Sequence, residues 1–489
     1  MRHTITLILT AAALASCGNY LNVQPQGEII PKTDEEFASI IHNRLREIEG
    51  GGDEYVIGNM DVIKHLEGCA DNLDANITTS ASLEFFAGEE IDRRQTFYKN
   101  SWETVRDCNI VIENLKGKDS DIAKGSVSAA YAMKGIIYYN LMREFCQPWD
   151  EESADELPGI PLVDNFDINS KPLRGTLRQT YEYTEAILDE ALSLNPADAK
   201  YIFTTWILKA YKAKLEFWCK NWDSVITLCH DIIEHSGYTL TPAADYAAMI
   251  NAPYERKGEV MVRSHINNSS ELDWYFSYTK GYLASRPASA KLIRLFGSNP
   301  SEDVRYAASF DSKRKNVKVP ECRVRLSEMV LMLAEAYYHK GNNVNALKWV
   351  NELRRNRING AVDLTEASLP AVREDERIKV DCNGKEVTPV LQAIFDERRK
   401  ELYMEGDRWY ELKRNGRPEW WVISNGLKYT TKAYLYTSPI YKADIDLNPD
   451  IIQNPGYEYY LTFFKQNEYK KKNNCYLVIG MSRCKPLWM

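Results

Sequence analysis

The chain has 489 residues and a formal net charge of −8, with its 61 Lys and Arg residues dispersed along the sequence. Proteins that grip nucleic acid gather basic residues into a patch that neutralises phosphates, and the sequence contains no such patch. Composition therefore argues against a nucleic-acid partner. The length of the chain allows one large domain or roughly three average ones.

The first residues predict the compartment. Residues 1–3 are basic, residues 5–15 are apolar and uncharged, and small residues precede Cys17. This pattern is typical of a secretory signal peptide that ends in a lipoprotein processing site, so we predict a signal peptide over residues 1–16 and acylation of Cys17. The apolar run is too short to cross a bilayer, which takes about 20 residues. We expect the mature protein to be held on a membrane by lipid.

Apolar residues at helical spacing dominate the rest of the chain. This periodicity predicts helices at residues 102–115, 126–145, 176–194, 204–218, 222–235, 325–340 and 344–356. Two antiparallel pairs meet at tight turns, one at Asn221 with Ala210 and Ala213 at the crossing, the other at Gly341. Pairs of about 34 residues with small residues at the crossing resemble tetratricopeptide repeats. The predicted fold class is mostly α, an interrupted tetratricopeptide-like scaffold.

A further predicted helix, residues 396–414, carries charge on its apolar side. Arg398 and Glu405 fall on the same stripe as the apolar residues, where a bare charge costs several kcal/mol unless a partner satisfies it. We predict that both charges bridge to neighbouring helices or loop carbonyls. Gly406 is predicted to let the chain bend, and Trp409 to fill the core beyond it. All four residues are therefore assigned a structural role.

Three less regular stretches, residues 53–96, 242–320 and 381–387, interrupt the helices. Irregular segments on a rigid scaffold commonly carry binding groups. Two of them combine aromatic rings with amides or carboxylates, a mixture that suits the C–H faces and hydroxyls of sugars. The candidate ligand-binding residues are Asp71, Asn72, Asn76, Phe85 and Phe86 in the first stretch, and Asn267, Asn268, Trp274, Tyr275 and Tyr278 in the second. Trp274 is the first choice because it follows a polar run; the alternative is that these aromatics plug the helical layer.

Motifs for catalysis or metal binding are missing from the sequence. It holds no GxSxG, no Walker loop and no glycine-rich dinucleotide turn. His230 and His235 look like a metal pair, but five helical residues turn them about 140° apart, so they cannot bind one ion from that helix. The ten cysteines include no CxxC pair. We predict no enzymatic activity, no cofactor and no metal.

Several segments stand in a characteristic order along the chain. They are NYLNVQP from Asn19, PKT from Pro31, YAMKGIIYYNLMREFCQPW at 131–149, GIPLV at 159–163, SGYTL at 236–240, LMLAEAYY at 331–338, ERRKELYMEGDRWYELKR from Glu397 and PIYKADIDLNPDIIQNPGY at 439–457. This ordered set resembles the SusD/RagB family of surface glycan-binding lipoproteins of Bacteroidetes. The resemblance spans almost the whole predicted mature chain.

The resemblance implies a single SusD-like domain at residues 17–460, with a loop-rich region inserted in the scaffold at about 242–320. It implies a non-catalytic lipoprotein on the outer-membrane surface that captures oligosaccharides and delivers them to a TonB-dependent, SusC-like transporter. The family's ligand loops vary, so no ligand-contacting residue carries over by motif. Residues 461–489 continue past the family's usual end and are predicted to be an atypical extension that packs poorly. Peptide capture, as resemblance to RagB allows, is an alternative, and a surface glycosidase is a less favoured one.

Overall fold

A computed structural model describes residues 31–74, 86–167, 169–194, 201–251, 258–263, 277, 281–424 and 426–457. The predicted signal peptide, Cys17 and the 461–489 extension lie outside these residues, so the predictions for them remain predictions. Helices dominate the described chain and strands are few and short. The predicted mostly-α fold class is confirmed.

The helices are numbered here in chain order over the described residues. They are α1 (Asp34–Glu49), α2 (Met60–Cys69), α3 (Ile91–Leu115), α4 (Asp121–Phe145), α5 (Leu177–Ser193), α6 (Thr205–Trp218), α7 (Trp222–His235), α8 (Ala243–Ile250), α9 (Ala290–Ile293), α10 (Val304–Ser309), α11 (Leu326–His339), α12 (Asn343–Arg355), α13 (Pro389–Glu401), α14 (Asp407–Arg414) and α15 (Lys442–Leu447). The strands are β1 (Pro158–Pro161), β2 (Arg174–Thr176), β3 (Val260–Arg263), β4 (Arg323–Arg325), β5 (Trp420–Ser424) and β6 (Leu427–Thr431). They pair antiparallel as β1–β2, β3–β4 and β5–β6.

The long helices stack side by side. Helix α4 packs between α3 and α5, α6 packs on α7, and α11 packs on both α7 and α12. Ala210 and Ala213 are fully buried where α6 meets its neighbours, as their small size suggested. The tight turns of the two predicted pairs fall at Lys220 and Gly341, both with positive φ. The ends of the stacked helices are therefore brought to common edges, where loops meet.

The predicted helix at 396–414 is two helices, which corrects that prediction. Helix α13 ends at Glu401 and α14 begins at Asp407. Met404 and Gly406 between them have φ values of 60° and 77°. A Cβ at Gly406 would lie 2.8 Å from Leu66 Cδ1 of α2, so glycine allows both the bend and the close approach.

Because the helix is broken, Arg398 and Glu405 contact different partners. Arg398 Nε donates to Asp407 Oδ2 at 2.8 Å, and its Nη2 lies 3.9 Å from Glu328 of α11. Glu405 accepts from Lys318 and Arg325, each at 2.8 Å. Each charge thus bridges to a neighbouring segment.

Trp409 packs in the core beyond the bend. It is buried, and its ring stacks on Tyr436 with the centroids 4.4 Å apart. Because α14 starts immediately after Gly406, the bend aims this side of α14 at the 3-10 helix Ala433–Tyr436.

The last residue of α13, Glu401, is the centre of a buried charge cluster. Its carboxylate is fully buried and accepts from Arg305 at 3.2 Å, from Arg325 at 2.7 Å and from Arg357 at 3.0 Å. Burial alone would raise the pKa of Glu401, but the three guanidinium groups hold it well below its usual range. The three arginines come from α10, the end of β4 and the segment after α12. One carboxylate therefore ties the loop-rich region to the helical stack.

Replacing Glu401 with Gln is expected to lower the free energy of unfolding by about 3–5 kcal/mol, because it leaves three buried guanidinium groups short of negative charge. Urea unfolding followed by circular dichroism measures the change. The matched control is Glu352→Gln, which removes an ion pair with Arg355 that is about half exposed on both sides. The control is expected to cost less than about 1 kcal/mol, and equal losses in the two variants would contradict the assignment.

Glu405 gives a pH-dependent prediction. Burial raises its pKa, but Arg325 and Lys318 lower it to about 2, below the ordinary value of 4.5. A carboxylate with a depressed pKa adds stability above about pH 4.5 and loses that contribution as the pH falls towards 2. The wild type is expected to exceed Glu405→Gln by about 3 kcal/mol at pH 7, with the difference shrinking steadily below pH 4.5. Parallel unfolding curves at pH 7, 5 and 3 measure it, and a pH-independent difference would count against the ion pair.

Candidate ligand-binding groove

An open groove of about 1140 Å³ lies where several loops meet at the ends of the stacked helices. Its walls come from the segment after α4, the α6–α7 turn, the segment after α14 and three shorter stretches. The lining residues are 147–153, 157, 219–222, 380–384, 413–414, 416–417, 433–434 and 455. Four other cavities of the described protein hold at most about 70 Å³ each, too little for a sugar ring. The groove has room for an extended ligand.

Three aromatic residues face this groove. Trp149 is buried and Trp222 half-buried, whereas Tyr434 is 38% exposed. Trp222 stacks on His339 with the centroids 4.3 Å apart, which fixes its plane. Tyr434 packs edge-on against Tyr457 at 5.1 Å. The rings are thus held in place by the protein while one of them remains open to solvent.

A glycine supports the exposed ring. Gly456 has φ of 92°, and a Cβ there would lie 2.5 Å from Tyr434 Cγ. The NPGY segment therefore has a physical reason for its glycine: the backbone must pass close to Tyr434 in a conformation that other residues rarely adopt.

Polar groups are interleaved with the aromatics. Asn221 Nδ2 donates to Glu216 Oε2 at 2.7 Å, which fixes the α6–α7 turn, and Gln147 accepts from Arg417. Asn383 is exposed on a turn whose backbone N–H groups bond to Asp381. Ordered rings beside amides and charged groups are suited to holding a polar ligand in one orientation.

Ionisable groups behind the groove are bonded to one another. His339 Nε2 lies 3.6 Å from both Cys382 Sγ and Glu335 Oε1, and Arg414 donates to Glu335 at 2.6 Å. Burial lowers the pKa of His339, but its contacts with Cys382 and Glu335 raise it to about 9. Burial raises the pKa of Glu335, but Arg414 and His339 lower it to about 2. This cluster holds opposite charges together beneath Trp222.

Two of the predicted ligand-binding residues are buried in the scaffold. Asp71 accepts from Arg408 at 2.7 Å and lies 3.4 Å from Arg399, while Asn72 accepts from Arg399 at 2.8 Å. Burial would raise the pKa of Asp71, but the two arginines hold it well below its usual range. Asp71 and Asn72 fasten the end of α2 to α13 and α14, and their contact with ligand remains a prediction.

The remaining predicted residues are mostly beyond the described structure. Phe86 is half-buried, 5.8 Å from Tyr429 of β6, and does not line the groove. Residues Asn76, Phe85, Asn267, Asn268, Trp274, Tyr275 and Tyr278 lie outside the described residues and remain predictions.

Sequence reasoning missed most of the groove. Of its walls, only residues 381–384 belong to a stretch marked as irregular. Trp149 and Trp222 were read as parts of helical or family segments, and Tyr434 carried no signal. The sequence does contain a signal for the groove, namely the turns at the ends of adjacent helices. In a stacked array of helices these turns lie at a common edge, where a binding site can form.

The two histidines of α7 have separate partners. His230 contacts Glu234 at 3.0 Å and Tyr337 at 2.8 Å, and His235 contacts Asp231 at 3.1 Å. Within the described ranges, no group of His, Cys, Asp and Glu side chains is arranged to hold a metal ion. Over the same ranges, no helix has the length and apolar character that crossing a membrane requires.

Two family models match parts of this chain. Residues 303–457 match the model of the SusD family, and residues 19–215 match a model described as starch-binding associating with outer membrane. No curated protein matches.

Solved structures are similar over most of the chain. A SusD superfamily protein from Bacteroides thetaiotaomicron is 20% identical, with 87% of this chain and 100% of that chain covered and a TM-score of 0.66. A putative sugar binding protein from Bacteroides vulgatus is 22% identical, with coverage of 88% and 100% and a TM-score of 0.66. Surface glycan-binding protein A from Bacteroides uniformis is 14% identical, with coverage of 86% and 99% and a TM-score of 0.59. At these identities the similarity establishes the fold. With family matches in both halves of the chain and this fold between them, the chain belongs to the SusD/RagB family.

Proposed function

We propose that this protein captures oligosaccharides at the cell surface without cleaving them and delivers them to a TonB-dependent, SusC-like transporter in the outer membrane. The observation that carries the proposal is the groove, which combines ordered aromatic rings with polar groups in a volume of about 1140 Å³. Family membership supports it, since one matching model is described as starch-binding and similar structures as sugar-binding or glycan-binding.

The groove suits sugar chemistry. A pyranose presents C–H faces that pack on aromatic rings and hydroxyls that need donors and acceptors at the rim. Tyr434 offers the accessible ring, and Asn383 and Arg417 supply polar groups beside it. Ligand sites of drug-sized molecules span roughly 300–1000 Å³, so this groove has room for several sugar units.

Three of the four acidic residues that line the groove are held by local contacts, which favours capture over hydrolysis. A glycosidase needs two carboxylates about 5–10 Å apart across the scissile bond. Asp150 accepts from Ser153 at 2.6 Å, Glu151 accepts from Arg178 at 2.9 Å, and Asp381 accepts two backbone N–H groups. Carboxylates held in this way serve local structure, which supports a binding role.

The anchor and the hand-over belong to the same proposal. Acylation of Cys17 would fasten the chain to the outer membrane, and residues 17–33 would let the body reach at most about 55 Å from its anchor. Affinity for the ligand would be modest, because a captured sugar must be released to the transporter.

The proposal predicts binding without chemistry. The mature chain, incubated with a mixture of glycans, is expected to retain oligosaccharides and to release no new reducing ends. Tyr434→Ala is expected to weaken binding five- to tenfold, because a ring packed on a sugar face contributes about 1 kcal/mol. Tyr434→Phe keeps the ring and is expected to bind nearly as well. Isothermal titration with the retained glycan measures both variants.

Controls separate the alternatives. Trp421→Ala removes a tryptophan that is 54% exposed outside the groove and is expected to leave affinity unchanged. Trp274→Ala tests the site predicted in the second irregular stretch. New reducing ends would indicate a glycosidase, retention of peptides in place of glycans would indicate a peptide-capturing protein, and binding lost in Trp274→Ala alone would place the site away from the groove.

A further inference from the structure

Arg417, on the wall of the groove, has an unusual set of partners. Its Nη1 donates to Gln147 Oε1, and no other hydrogen bond joins its guanidinium group to the described residues. No carboxylate of those residues lies within 4.0 Å of it. Burial lowers its pKa, and no neighbouring negative charge of the described chain offsets that effect. Arg417 is therefore a half-buried cation with free guanidinium N–H donors and no counter-charge among the described residues.

The free donors of Arg417 have a defined geometry. With Nη1 held by Gln147, the Nε and Nη2 hydrogens remain, and these two point in parallel along one edge of the planar group. That edge is the one that binds a carboxylate through two parallel hydrogen bonds. Gln147 thereby orients the guanidinium group and leaves its carboxylate-binding edge open.

A second cation lies on the turn between α6 and α7. Lys220 is half-buried on the groove wall, and its ammonium group makes no hydrogen bond to the described residues. Lys220 and Arg417 have φ values of 63° and 49°, and they are two of the five non-glycine residues with positive φ in the described chain. Backbone conformations of this kind concentrate at ligand sites, where the surrounding structure holds side chains in place.

A third cation is partly unsatisfied behind them. Arg414 is 6% exposed and lines the groove; its Nη2 bonds to Glu335, but its Nη1 is buried without a hydrogen-bond partner. Asp150, Glu151 and Asp381 of the groove do not pair with these cations, because their carboxylates are bonded to other groups. Glu152 is exposed and not paired with any of the three cations. The formal charges of the lining residues cancel, but the free donors of Arg417 and Lys220 have no carboxylate partner among the described residues.

Resting on the capture function proposed above, we propose that this groove selects acidic oligosaccharides, with a uronate carboxylate bound by the Nε and Nη2 edge of Arg417 and attracted by Lys220. The aromatic ring of Tyr434 then packs on the face of the sugar. The guanidinium edge of Arg417 discriminates between acidic and neutral sugars of similar shape. Selectivity for acidic sugars comes from a cation that has no carboxylate partner among the described residues.

The test compares each of a panel of uronate-containing oligosaccharides, oligogalacturonides among them, with its own carboxyl-reduced neutral form. The wild type is expected to bind at least one acidic member about tenfold more tightly than its reduced form, since a bidentate charged pair is stronger than a neutral hydrogen bond. This preference is expected to decrease as salt is raised. Isothermal titration of the mature chain at low and high salt gives both values.

Variants locate the preference. Arg417→Gln is expected to abolish the preference, because it weakens binding of the acidic form far more than binding of the reduced form, and Arg417→Lys is expected to retain only part of it, because lysine keeps the charge and loses the planar edge. Lys220→Gln is expected to reduce it two- to threefold, since its charge acts from a distance. Lys124→Gln, a control at an exposed position outside the groove, is expected to change nothing.

The outcomes are distinguishable. Equal affinity for acidic and reduced forms, with binding still dependent on Tyr434, would overturn the selection of acidic sugars and leave oligosaccharide capture standing. A preference for acidic sugars that survives in Arg417→Gln would overturn the role of this residue. Failure of every glycan, acidic or neutral, to bind would overturn the capture function itself.

Discussion

The carboxylate of Glu401 is the interaction on which the architecture depends. It is buried where the helical stack meets the loop-rich region, and it is shared by guanidinium groups from three separate segments. Arg357 and Arg325 also bond to the buried Glu259, so the cluster is extended and not a single pair. Charges removed from water are costly unless each has a partner, so only one arrangement of these segments satisfies them all. A contact of this kind fixes relative position in a way that apolar packing alone does not.

That fixed position explains how irregular segments can build a site. The groove takes its residues from loops at the ends of α4, α6 and α14 and from the turn at residues 380–384, all carried by packed helices. Each loop can change its side chains without disturbing the stack, because the helices that carry the loops pack on one another through buried residues. A scaffold with these properties suits a family in which one fold serves many ligands.

The sequence predicted the scaffold well because helical periodicity is a local signal. The helices around Ala210 and Leu347 lie where the apolar spacing put them, and the charges at Arg398 and Glu405 found partners on neighbouring segments. The central role of Glu401 was not predictable, since its partners are 44 to 96 residues away. The arginine partners of Asp71 and Asn72 were unpredictable for the same reason, since they come more than 320 residues later. Polar residues in an irregular stretch look alike until their long-range partners are known.

We propose that oligosaccharide binds in the groove at the helix ends. Hydrogen–deuterium exchange of the mature chain, with and without a bound glycan, tests it directly because exchange reports on every loop at once. We expect slower exchange in residues 147–153, 219–222 and 380–384 when glycan is present. Slower exchange confined to residues 264–280, with these three segments unchanged, would contradict it.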